Sequence, residues 1–158
     1  MSFDIFLIAF KGGETFAFDR SIVIDAFGSA LKELRDGSWH VIDDDDQYFG
    51  GNLSFTEEGE GEDVKVTGFG INRPPFCQGT LKALLDVMRR TPSMLYWPGE
   101  GVWACVAHPD VFAELPAGMF ASPDELQIVS SPADIARLAG CLSNEEIAER
   151  GISESSGW

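Results

Sequence analysis

An α+β fold is predicted for this chain, with about three main helices and a single mixed or mostly antiparallel sheet of six to seven strands. Three observations carry the prediction: apolar runs of strand length, glycine-containing turns that join some of them as hairpins, and a few stretches with helical apolar spacing. Strict alternation of strands and helices would point instead to a doubly wound sheet, and the hairpins break that alternation. At 158 residues, with 44% hydrophobic residues, twelve Phe and four Trp, the chain fits one domain able to bury roughly 68–70% of its unfolded surface. Residues 1–150 are assigned to that domain and residues 151–158 to a flexible C-terminal tail.

Residues 3–10 (FDIFLIAF) are apolar on both faces, the pattern of a strand covered on both sides, so they are placed inside the sheet. After the Lys11-Gly12-Gly13 turn, Asp19 caps a helix reaching about Arg35, because Val23, Phe27, Ala30, Leu31 and Leu34 recur at helical spacing and Gly37 follows as a stop. Residues 39–42 and 52–57 are strands, the second turning Leu53 and Phe55 inward and Asn52, Ser54 and Thr56 outward. Residues 64–71 form a third strand, joined to the second through Glu58-Gly59-Glu60-Gly61-Glu62, and Arg73-Pro74-Pro75 ends its pairing.

A helix from Thr80 to Arg90 carries Leu81, Leu84, Leu85 and Met88 on one side. Residues 93–97 and 102–107 flank Pro98-Gly99-Glu100-Gly101 as a second hairpin, residues 109–125 are irregular apart from one helical turn near 110–114, and residues 126–129 add a last strand. Ser131-Pro132-Ala133-Asp134 places a capping serine, a first-turn proline and an acid in the order that starts a helix, with Ile135, Leu138, Ala139 and Leu142 as its apolar stripe. Ser143 with Glu146 caps one more short helix.

Charge is the sequence's main functional signal. The chain carries 26 acidic against 11 basic residues, a formal charge of -15, and ten of the acids fall between Asp36 and Asp63 with no Lys or Arg among them. Such a segment repels itself and is relieved by a positive partner, while nucleic acid and anionic lipid are disfavoured. The expected partner surface is Asp43, Asp44, Asp45, Asp46 and Tyr48 together with Glu57, Glu58, Glu60, Glu62 and Asp63, the tyrosine serving as an aromatic anchor beside steering charge. Three widely spaced cysteines without a CxxC pair, and an apolar strand with no basic segment before it, lead to the expectation of a reduced, cytoplasmic protein without a membrane span.

Motifs that fix a reaction are missing. Counted from Asp43, the sixth and twelfth positions of a calcium loop are Tyr48 and Ser54 rather than Gly and Glu. Gly68-Phe69-Gly70 begins a nucleotide fingerprint that lacks its third glycine and meets Pro74-Pro75 where the helix should start; the glycines are read instead as letting the strand bend or an aromatic ring pack over it. Cys105, His108 and Asp110 are the best candidates for a nucleophile or half a zinc site, but a strand cysteine turned to the core is the stronger reading. His40, beside Trp39, reads as a satisfied strand histidine. No cofactor, metal or catalytic residue is expected.

In size, acidity, mixed α/β pattern and its abrupt MSFDIFL strand start, the chain resembles the small acidic immunity proteins of bacterial toxin systems. The resemblance implies a non-catalytic protein whose acidic surface masks the cationic cleft of a toxin enzyme. Two alternatives stay open: a regulatory or scaffold domain whose acidity maintains solubility, and an enzyme with a site near Cys105 and His108.

Overall fold

A computed structural model describes residues 4–42, 49–58, 64–98, 102–120, 123–139 and 142–155. Its strands are β1 (Asp4–Lys11), β2 (Glu14–Thr15), β3 (Phe18–Asp19), β4 (Leu31–Glu33), β5 (Trp39–Ile42), β6 (Phe49–Glu58), β7 (Lys65–Asn72), β8 (Ser93–Tyr96), β9 (Ala104–Val106) and β10 (Leu126–Ile128). The α-helices are α1 (Arg20–Phe27), α2 (Gln78–Arg90), α3 (Pro132–Leu138) and α4 (Asn144–Glu149). All strands join one sheet in the order β10-β9-β8-β1-β7-β6-β5-β4, with β2 on β1 and β3 on β7. Every pair is antiparallel except β9 and β10, so the sheet is mixed and the α+β class holds.

Ten strands replace the expected six to seven. The seven read from sequence are all present, and the additions are β2, β3 and β4, which are two or three residues long and too short to show a period of two. The β4 strand also corrects the first helix, which was expected to run to Arg35. Gly28 takes φ +57° at the C-cap, a conformation glycine adopts without steric cost, and α1 stops after Phe27. Leu31 then enters the core from a strand paired with β5, while Leu34 lies exposed. Gly37, read as the helix stop, instead sits at φ +86° in the β4–β5 hairpin, where its amide bonds the Leu34 carbonyl at 2.9 Å.

β1 is an interior strand with β7 on one side and β8 on the other. Ile5, Leu7 and Ala9 face the main core, where α2 packs between α1 and α3 and buries Leu81, Leu84, Leu85 and Met88 against the sheet. On the opposite face Phe10, Met94, Ala104, Val106, Val111 and Leu126 form a second, smaller core, with Ile8, Leu115 and Phe120 packed against it. The 3₁₀ turn Pro109–Glu114 and the chain after it supply part of that cover. The glycines of β7 follow from this crowding. A Cβ on Gly68 would lie 1.9 Å from the Leu7 carbonyl oxygen, and one on Gly70 would lie 2.9 Å from the Phe6 ring, which packs over it and stacks on Tyr96 at 5.2 Å.

Both expected caps of the last helices form. Ser131 accepts from the Asp134 amide at the start of α3, and Ser143 and Glu146 make a reciprocal capping box at α4. At the start of the segment read as a tail, Ile152 is buried, the Ser153 carbonyl takes the Ala133 amide and the Ser153 amide bonds Gln78. Residues 151–155 are therefore anchored between α2 and α3.

Candidate functional site

Because β6 is antiparallel to both β5 and β7, its two connections leave from opposite ends. One joins Ile42 to Phe49 and carries Asp43, Asp44, Asp45, Asp46 and Tyr48; the other joins Glu58 to Val64 and carries Glu60, Glu62 and Asp63. These eight residues lie outside the described residues. The ten residues of β6 span roughly 30 Å at about 3.3 Å each, so the two connections depart from poles that far apart. Glu57 and Glu58 are described and exposed; Glu57 lies 3.3 Å from Arg20, and Glu58 pairs in register with Lys65.

Between the poles the sheet presents an open face. Asn52, Ser54 and Thr56 of β6 alternate outward and are exposed, as the pattern predicts, opposite Asn72, Gly70 and Gly68 of β7. His40 of β5 lies opposite Asn52, and the exposed Lys32 of β4 opposite His40. Small and polar side chains thus cover β7 to β4, whereas the β1–β9 half of the same face is roofed by the second core.

A recess of about 570 Å³ opens along β5 and β6, with Glu33, Asp36, Trp39, His40, Ser54 and Glu57 in its lining. Arg20 crosses it with its guanidinium carbon 5.6 Å from the Trp39 ring and 5.7 Å from the Phe55 ring. Asp36 holds the hairpin turn by accepting from the Ser38 hydroxyl and amide, and these bonds keep its carboxyl below the usual carboxylate range. Three carboxylates against one arginine leave the recess net negative, with aromatic walls. Sequence reading counted Asp36 among the clustered acids but did not single out Glu33, Asp36 or Trp39 as site residues, because their meeting depends on the β4–β5 hairpin.

Cys105, His108 and Asp110 do not converge on a reacting centre. Cys105 is completely buried in the main core, and burial, with Asp134 nearby, pushes its thiol far up. His108 is exposed and donates from Nε2 to the Arg89 carbonyl at 3.3 Å. Among the described residues no group of three or more His, Cys, Asp or Glu side chains is placed to hold a metal ion, and no helix is long and apolar enough to cross a membrane. Cys105 is accordingly expected to resist iodoacetamide in the native protein and to react fully in denaturant. Peptide mapping by mass spectrometry checks this residue separately from Cys77 and Cys141; rapid native labelling would place the thiol at a surface.

Comparison with protein-family models, with curated proteins and with solved structures finds no match.

Proposed function

We propose that this chain is a non-catalytic, cytoplasmic acidic binding protein that masks a basic protein partner, in the manner of an immunity protein neutralising a toxin enzyme. One observation carries the reading: an open sheet face from β7 to β4, bounded at both ends of β6 by acidic connections, with the net-negative recess of Glu33, Asp36 and Glu57 along the same strands on the helix-covered side. A face roughly 30 Å long matches the footprint of a standard interface, about 800 Å² on each partner. Its small side chains allow close approach of a second backbone or of long basic side chains. At the neighbouring edge, a basic side chain reaching round to the recess would meet Glu33 and Asp36, Glu57 already facing Arg20.

The location of the face separates this reading from acidity that only maintains solubility. Ser54→Trp places a bulky ring on the open face at an exposed site where the fold does not depend on the side chain. Affinity capture from the source cell at low salt, using the parent and this variant at equal loading, tests it. The expected result is one basic protein retained by the parent and lost from Ser54→Trp while circular dichroism stays unchanged. Equal retention by both, or no basic protein on either, would count against the face.

A further inference from the structure

The open sheet face carries a row of polar side chains that runs across the strands and ends on a carboxylate the sequence pattern did not single out. Asp4 of β1 lies in register with Asn72 of β7, Asn72 with Asn52 of β6, Asn52 with His40 of β5, and His40 with Lys32 of β4. Ile5, Leu7 and Ala9 alternate into the main core, so Asp4 takes the opposite face with Phe6 and Ile8. Residues directly opposite on neighbouring strands have Cβ atoms about 4.5–5.5 Å apart, which makes Asp4 and Asn72 immediate neighbours on that face.

Asp4 is half-buried, and its Oδ1 is shut off from water and accepts no hydrogen bond among the described residues. A carboxylate oxygen in that position has lost its hydration without gaining a donor, which is unfavourable until a donor arrives. The cations of this region do not supply one. Lys32 stands at the far end of the row, four strands away, roughly 19 Å at about 4.8 Å per strand. Arg73 follows Asn72 in the chain but turns out of the strand at φ +55°, is exposed, and leaves Asp4 Oδ1 without a hydrogen bond.

We propose that Asp4 receives an arginine of the basic partner, the guanidinium pairing with the Asp4 carboxylate and donating a further N–H to the side-chain oxygen of Asn72. The site rests on the reading of the open face as a docking surface. A guanidinium presents five donors in a planar fork and no acceptor, so a carboxylate beside an amide oxygen suits it better than it suits the point charge of a lysine. Asp4 also differs from the acids of the two connections, because it stands on a strand held in register with β7 and needs little ordering when a partner binds. A charge pair shielded from water governs the lifetime of a complex, whereas rim charges govern encounter.

N-acetylarginine amide is the probe and N-acetylcitrulline amide, its uncharged analogue, the control, titrated into ¹⁵N-labelled full-length protein at about 0.15 M salt, where charges beyond about 8 Å are largely screened. Saturable shifts are expected at the Asp4 and Asn72 amides, with binding about tenfold or more weaker for the citrulline compound and for the Asp4→Asn variant. Urea melts of Asp4→Asn should show a midpoint unchanged or raised, since no internal partner is lost. A lowered midpoint would show that Asp4 is satisfied within the fold and would overturn the proposal, as would shifts that stay linear or that citrulline reproduces. With the captured partner, Asp4→Asn should speed dissociation about tenfold or more and leave association within about twofold. A partner held by the parent, lost from Ser54→Trp and released from Asp4→Asn at the parent's rate would refute the arginine site and leave the docking face standing. The titration needs no partner and decides the site where none is captured.

Discussion

Leu7→Ala is expected to cost about 2–5 kcal/mol of folding stability, because the lost transfer free energy of the side chain adds to the cavity left behind. Leu7 is 2% exposed and lies in register with Phe69 of β7 on one side and Leu95 of β8 on the other, all three turned toward the helices. A site walled by two paired strands has little freedom to collapse, which favours the upper part of that range. With total stabilities of about 5–15 kcal/mol usual for a domain, the variant should be marginal. Urea melts check the value through a lower midpoint at unchanged slope. Leu34→Ala is the matched control: this leucine was placed inward by helical spacing and lies 38% exposed, so a cost within about 0.5 kcal/mol is expected. Equal losses at the two positions would contradict the layering.

The contrast between these leucines shows which parts of the fold were legible. Residues 3–10 and 52–57 have the burial of a strand written into their alternation or their continuous apolarity, and both regions are strands, described from Asp4 to Lys11 and from Phe49 to Glu58. The caps at Ser131 and Ser143 are local chemistry and were equally visible. The region from Ala30 to Leu34 was not, since Leu31 satisfies a helical repeat and a strand alike, and the decision lies in its pairing with Val41 ten residues later. The same limit applied to function. The two connections that carry most of the clustered acids depart from opposite ends of β6 because of an antiparallel register. The polar row joins Asp4, Asn72, Asn52 and His40 from four strands, whose separation in the chain hid their common line.

The division of the acidic segment sharpens what binding kinetics should show. Charges at an interface rim act mainly on encounter, and electrostatic steering raises association rates by about 10–10³-fold, falling steeply with salt. Replacing Asp43, Asp44, Asp45 and Asp46 by Asn removes one pole, and replacing Glu58, Glu60, Glu62 and Asp63 by Gln or Asn removes the other. The poles are roughly 30 Å apart along β6, about three Debye lengths at 0.1 M salt, so their effects on the logarithm of the association rate should be nearly additive. Each set alone should lower the association rate by about threefold to thirtyfold at low salt and leave dissociation within about twofold. Glu57 is left in place because its charge already faces Arg20. Tyr48→Ala should act differently, speeding dissociation if its ring is buried by the partner, because anchor residues govern the lifetime of a complex. Surface-binding kinetics across a salt series, with the captured basic partner and all three variants, measures each of these. Loss of rate from only one set would assign steering to that end of β6 and confine the partner to it. An association rate indifferent to salt and to both sets would remove charge from the mechanism and leave the open face of Asn52, Ser54 and Thr56 to account for any binding through its shape.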